Sequence, residues 1–197
     1  MVLKLTKVLG LCALLVGATA AQAQWELDNS RSSLDFLSIK NDAIAESHHF
    51  TEMVGFIGSD GKVQVGIDLD SVETLIPIRN ERMREMLFRT VEFPAANITS
   101  DVDPGMLAIV TDGGLVTTDI EVVLSLHGQQ ATLSVPVLVS GGEGSILRVI
   151  SARPVIVNAG EFALVAGVEA LREVAGLSSI STAVPVTFNL VFVPAGS

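Results

Sequence analysis

The residues most able to do chemistry are the histidines, because imidazole serves both as a metal ligand and as a general base. His48 and His49 are adjacent, and Glu52 follows shortly after them. Successive side chains on a β-strand point to opposite faces, so these two imidazoles would diverge rather than share a metal ion. The remaining histidine, His127, is distant in sequence and is predicted to lie in a turn. Because a metal shell needs several converging ligands, the sequence predicts no metal site.

Nucleophilic and acid–base catalysis have little support either. None of the serines lies in a Gly-x-Ser-x-Gly elbow, and the histidines have no clear acidic partner that would orient them. Asp68 and Asp70 have the i, i+2 spacing that places two carboxylates on one face of a strand, but the pattern is more typical of a strand end and a turn. We therefore expect a protein with no catalytic residues that is not an enzyme.

One basic cluster, formed by Arg79, Arg82, Arg84 and Arg89, has two interpretations. It could bind a phosphate or another polar head group, for which guanidinium groups are well suited. The pattern favours instead a solvent-exposed helix face, with Glu81 paired to Arg84 and Glu85 paired to Arg89. Arg79 has no such helical partner and lies at the start of the predicted helix. It is therefore the candidate head-group residue.

Composition and charge exclude several classes of partner. The 197-residue chain has a formal net charge of −10, which argues against nucleic acid and against anionic membrane surfaces. Apolar residues make up 49% of the chain and charged residues only 17%. That is more apolar material than one ordinary core requires, so it indicates either a large cavity or an apolar partner. The length fits one domain with a substantial core.

The N-terminal segment has the layout of a secretory signal peptide. Lys4 and Lys7 precede a short apolar run, and small residues lead to an A-x-A site that ends at Ala23. We expect residues 1–23 to be removed and residues 24–197 to form the mature domain, located in the periplasm or secreted, with no stable membrane span. The single cysteine, Cys12, would be lost with the leader. The mature protein would then have neither a disulfide bond nor a thiol nucleophile.

Alternation of apolar and polar residues is the dominant pattern in the rest of the chain, and it is typical of half-buried strands. It runs through residues 62–69, 120–126, 133–139 and 184–192, and the turn at residues 127–130 predicts a long hairpin. Shorter strands are expected at residues 34–40, 50–57, 95–102, 107–111 and 146–157. Many short strands separated by turns favour a sandwich or a barrel. Closure into a barrel also hides the sheet edges.

Two segments predict short helices instead. Residues 80–88 place Met83, Met86 and Leu87 on one face, and residues 164–175 end at Gly176, a residue suited to a helix C-terminus. The predicted fold is therefore mainly all-β, an antiparallel eight-stranded barrel with one or two short helices.

An ordered set of motifs resembles the YceI-like family of secreted bacterial proteins. The set begins with residues 25–28 and 32–36, continues with Phe50, Gly55 and Ile57, and is clearest at residues 67–74, where a strand runs into a Ser-hydrophobic-x-Thr turn. Residues 79–83 resemble the family's helix opening, Phe93 and Pro94 resemble the end of that segment, and the hairpin at His127 and Gly128 is also similar.

The resemblance implies a lipocalin-like barrel that binds a polyisoprenoid, an isoprenoid quinone or a similar long amphiphile in its cavity. Such a lipid would be the only bound group, with no other cofactor. A second hypothesis is an envelope-stress or structural protein that acts through its surface and whose barrel is filled. The oligomeric state stays open, a homodimer included. The candidate cavity-lining residues, each of which could also be ordinary core, are Phe36, Phe50, Ile57, Met83, Leu87, Phe93, Phe188 and Leu190.

Overall fold

The computed structural model describes residues 23–196. Its twelve strands belong to one antiparallel sheet. In chain order they are β1 (Ala23–Leu27), β2 (Ser33–Lys40), β3 (Ile44–Phe50), β4 (Met53–Gly58), β5 (Lys62–Asp68), β6 (Val72–Glu73), β7 (Ala95–Asp101), β8 (Leu115–Leu126), β9 (Gln129–Gly142), β10 (Ile146–Ser151), β11 (Val155–Asn158) and β12 (Ala183–Pro194).

Eight of these strands close into a barrel, as the sequence predicted. The ring follows the order β1-β4-β5-β7-β8-β9-β10-β12 and is closed by pairing between β12 and β1, in which Trp25 lies opposite Pro194. The remaining strands extend one end of the barrel. There the first half of β12 pairs with β2 and with β11, while β2 continues the sheet to β3 and β6.

Three helices cover the two ends of the barrel within the described residues. Helix α1 (Pro77–Arg82) continues directly into a π-helical segment, Met83–Phe88, and helix α3 (Val165–Val174) packs against that segment. Helix α2 (Pro104–Thr111) lies at the opposite end, against β8, β9 and β10. Gly176 follows α3 with a positive φ of 64°, the backbone conformation that favours glycine after a helix.

Three predicted strands differ from those observed. Residues 107–111 belong to α2, because Asp103 caps the helix by accepting a hydrogen bond from the Gly105 amide and Pro104 occupies the first turn. The segment 50–57 is divided between β3 and β4, and Thr51 and Glu52 between them hydrogen-bond to Ser71. The segment 146–157 is likewise divided into β10 and β11.

The inward faces of the strands form the core. Along β8, Val122, Leu124 and Leu126 are buried, whereas Glu121 and Val123 between them face outward. The paired strand β9 contributes Val135, Val137 and Val139 to the same interior in the same alternation. The period-two pattern therefore sets both the strands and the apolar character of the barrel interior.

Candidate functional site

The barrel interior contains two adjoining apolar chambers. The chamber beneath α3 and the π-helical segment, here the cap chamber, has a volume of about 180 Å³, and every residue that lines it is apolar. The chamber beneath α2, here the base chamber, has a volume of about 110 Å³, and Ser100 is the one polar residue in its lining. Both chambers are bordered by the same five side chains, here called the waist, which are Leu34, Ile98, Val122, Val135 and Phe188.

The cap chamber is closed by helices rather than by strands. Leu87 and Phe88 of the π-helical segment and Leu164 and Val168, at the start of α3, border it. The two helical elements meet at Gly167, where an added Cβ atom would stand 2.8 Å from the Leu87 Cα atom and 2.8 Å from the Met86 carbonyl oxygen. Only glycine permits this backbone approach. π-Helical segments are rare and occur often at functional sites.

Aromatic rings connect the helical cover to the strands. The rings of Phe50 and Phe88 have centroids 5.8 Å apart, and Phe50 stacks on Phe36 at 5.3 Å. All three rings border the cap chamber. Because Phe50 contacts Phe88 of the helical cover and Phe36 contacts Phe50, a movement of Phe88 would change the shape of the chamber.

Six of the eight candidate lining residues border a chamber, and two do not. Phe36, Phe50 and Leu87 border the cap chamber, Ile57 and Leu190 border the base chamber, and Phe188 borders both. Two residues lie elsewhere. Met83 is buried, but it precedes Leu87 by one helical turn and borders neither chamber. Phe93 follows a turn at Arg89 that carries it to the barrel rim, where it packs 4.4 Å from the His127 ring.

Sequence reasoning missed most of the aliphatic lining. Among the residues that border the chambers are Leu124, Val155, Val157, Val168, Val184 and Val186. The signal was present, because the inward positions of an alternating strand necessarily face the interior of a closed barrel. Most of the candidates drawn from the sequence are instead aromatic or methionine side chains.

Arg79 is already engaged in an ion pair across the chain. Its guanidinium contacts the Glu46 carboxylate of β3 and donates a hydrogen bond to the Thr74 carbonyl oxygen. Lys40 also pairs with Glu46, at 2.8 Å, and the hydrogen bond from Lys40 together with the positive charge of Arg79 lowers the pKa of that carboxyl group. Two positive side chains thus share one carboxylate at the end of the β2–β3 hairpin.

The other arginines of the cluster do not form the expected helical pairs. Arg84 donates to the Asp70 carbonyl oxygen at 3.1 Å, and Arg89 pairs with Glu92 rather than with Glu85. Within residues 23–196, no ion pair joins Glu81 to Arg84. The prediction that Glu81 pairs with Arg84 and Glu85 with Arg89 along one helix face is therefore wrong.

The histidines and paired aspartates are placed apart. His48 is 3% exposed and faces inward, whereas its neighbour His49 lies on the other face. Asp68 accepts a hydrogen bond from the Asp70 amide and so caps a short turn. Among residues 23–196, no three His, Cys, Asp or Glu side chains are grouped as a metal site would require.

His48 gives the protein a pH-dependent stability. Burial, followed by the positive charge of Arg79, lowers the pKa of His48 from 6.5 to about 4, and its Nε2 atom hydrogen-bonds to the Ser38 hydroxyl at 2.8 Å. In the unfolded chain His48 takes up a proton near pH 6.5, whereas in the folded chain it does so only near pH 4. Above pH 6.5 we expect His48 to have no effect on the free energy of unfolding. As the pH falls from 6.5 to 4, protonation of the unfolded chain should lower that free energy by roughly 3 kcal/mol.

Urea unfolding of the wild type and of His48→Gln, which cannot titrate, measures this contribution. The difference between the two proteins in unfolding free energy should change with pH between 6.5 and 4 and stay constant above 6.5. Parallel pH profiles over the whole range would contradict the assignment to His48.

The fold and the site together define a closed β-barrel with an apolar internal cavity and helical covers. A model of the YceI-like domain matches residues 25–192, and the chain belongs to this family. No curated protein matches the chain. None of the helices in residues 23–196 is long and apolar enough to cross a bilayer.

Solved structures give the same fold. A polyisoprenoid binding domain from Saccharophagus degradans, implicated in plant cell wall breakdown, is 35% identical over 88% of this chain and 99% of its own, with a TM-score of 0.85. BcnA from Burkholderia cenocepacia is 16% identical over 84% of this chain and 98% of its own, with a TM-score of 0.65. A mutant YceI protein from Campylobacter jejuni is 13% identical over 76% of this chain and 85% of its own, with a TM-score of 0.50. The last two relationships show the fold alone.

Proposed function

We propose that this protein is exported to the periplasm and binds the tail of a polyisoprenoid lipid, or of a similar long amphiphile, inside the barrel. The observation that carries the proposal is the pair of apolar chambers that meet at a shared waist. The 35% identical relative is a polyisoprenoid binding domain, which supports the same class of ligand. The leader expected at residues 1–23 lies almost wholly outside the described residues and supports export by its sequence pattern alone.

The energetics suit a ligand with few polar contacts. Removing apolar surface from water is worth about 25 cal/mol per Å², and a prenyl chain that passes through both chambers would be almost wholly enclosed. Each chamber alone is smaller than the roughly 300–1,000 Å³ of typical small-molecule sites. A long chain therefore has to occupy both chambers and displace the helical cover as it enters.

Arg79 and the eight predicted lining residues take different roles in this proposal. Phe36, Phe50, Ile57, Leu87, Phe188 and Leu190 contact the tail. Met83 and Phe93 support the cover and the rim. Arg79 shares the Glu46 carboxylate with Lys40, so the three side chains keep one net positive charge, with which an anionic head group would pair.

Leu87→Asp tests whether the lumen holds the lipid. The carboxylate would project into a chamber with no polar lining, where an unpaired charge costs several kcal/mol. We expect the affinity for a prenyl alcohol such as farnesol or solanesol to fall by about a hundredfold or more. Native mass spectrometry of the mature protein with the added alcohol measures the bound fraction.

Val91→Asp is the matched control, because Val91 lies just beyond the same helical segment and is wholly exposed. It should bind like the wild type. If the wild type takes up no prenyl alcohol and carries no extractable lipid, the proposal fails, and a protein that acts through its outer surface becomes the better account.

A further inference from the structure

An exposed apolar segment precedes α1. In residues 75–78, here called the tip, Leu75 is 83% exposed, Ile76 is 44% exposed and Ile78 is 51% exposed. Pro77 lies between them, so the four consecutive residues are all apolar. Single exposed apolar side chains are ordinary, but a contiguous apolar group on a soluble surface indicates an interaction site.

Buried polar contacts hold the tip in place. Leu75 has a φ of 63°, a left-handed conformation that is unfavourable for leucine, and its amide donates to the Glu73 carboxylate. Thr74 and Asn80 are 2% and 8% exposed, and the Asn80 side chain accepts from the Thr74 amide at 2.9 Å and donates to Glu73 at 3.0 Å. The network fixes the backbone so that the apolar side chains point into water rather than back to the core.

The tip lies at the capped end of the lumen. The chain enters it from Leu69, which borders the cap chamber, and from Val72, which is buried. It leaves through α1 into the segment whose Leu87 and Phe88 cover the same chamber. A surface that engaged the tip would therefore meet the helical cover of the cap chamber.

The charges around the tip balance, whereas the chain as a whole carries a net charge of −10. Residues 73–92 contain four arginines and four glutamates, and Arg79 and Arg89 are paired with Glu46 and Glu92. An apolar tip among balanced charges complements a zwitterionic phospholipid surface, in which head groups of both signs lie above an apolar layer. The acidic remainder of the protein favours a zwitterionic bilayer over a strongly anionic one.

We propose that the tip is a docking element for a zwitterionic phospholipid bilayer, which places the covered end of the lumen against the membrane. The inference rests on the proposed function, because a protein that carries an apolar tail has to load and unload where such tails are dissolved. Leu75, Ile76 and Ile78 enter the interface, and the charged residues that follow lie at the level of the head groups.

Flotation with phosphatidylcholine vesicles tests the proposal on the mature protein. The double variant Leu75→Ser/Ile78→Ser removes two exposed aliphatic side chains of the tip. The matched control, Ile109→Ser/Leu115→Ser, removes two side chains of 56% and 63% exposure at the α2 end of the barrel. We expect the vesicle-bound fraction of the tip variant to fall about tenfold or more, with the control bound like the wild type.

Uptake of a prenyl alcohol added directly from solvent, without vesicles, is measured on the same proteins. The tip variant should retain that uptake, which also shows that its barrel is folded. A wild type that does not float with the vesicles, or a tip variant that floats equally well, would overturn the docking proposal. A failure of direct uptake by the wild type would count instead against lipid binding in the lumen.

Discussion

Replacing Phe188 by alanine should lower the free energy of unfolding of the ligand-free protein by about 3 kcal/mol, the lower end of the range for a core phenylalanine, because this ring is only partly buried. Phe188 is the largest of the five waist side chains and borders both chambers. One side of its ring already faces empty space, so fewer packing contacts are lost than in a filled core. Urea unfolding at pH 7 measures the change.

The same substitution should join the two chambers into one longer lumen. We therefore expect Phe188→Ala to gain affinity for long prenyl alcohols relative to short ones, and saturating solanesol to restore part of the lost stability through linkage. Phe56→Ala, a change of the same type on the outer face of β4 where the ring is 44% exposed, is the control. Equal chain-length preference in the wild type and Phe188→Ala would show that the waist does not limit the ligand.

Gly167→Ala should lower the free energy of unfolding, because the larger of its two opposing effects is unfavourable. Alanine in a helix is favoured over glycine by up to about 1 kcal/mol. The new Cβ atom, however, would stand 2.8 Å from backbone atoms of Met86 and Leu87, which cannot rotate away. Separating α3 from the π-helical segment should cost about 1–3 kcal/mol, so we expect net destabilisation.

The displaced cover should also speed ligand exchange, because Leu87, Phe88 and Val168 close the cap chamber between them. Stopped-flow release of a fluorescent prenyl analogue measures the rate. Gly105→Ala in α2 is the control, since its Cβ atom would meet only the side chain of Asp103, the residue before that helix, at 3.2 Å. A stable Gly167→Ala variant with wild-type release would mean that this helix contact does not keep the lumen closed.

The alternating strands were predictable because inward and outward positions on a strand have a fixed period. Residues 107–111 were not, because a short apolar run fits a buried strand and a buried helix equally well. For this segment the residues that indicated a helix were its neighbours, Asp103 as the N-cap and Pro104 as the first residue of α2.

The site was harder to predict than the fold. Arg79 pairs with Glu46 on a distant strand, a contact that helix spacing cannot reveal. The close contact between Gly167 and the π-helical segment is likewise a tertiary effect. Sequence patterns therefore identified the apolar interior of the barrel and the two helical segments that close it, but not the contacts that hold those segments in place.

The last strand has a further consequence for how the chain folds. β12 pairs with β1 and β2 near the start of the domain and with β10 and β11 near its end. The ring therefore cannot close until β12 has been synthesised, and the register of Trp25 opposite Pro194 joins two distant parts of the chain. Topologies with such long-range pairing fold slowly. Until β12 is in place, β1 and β10 are left as open sheet edges.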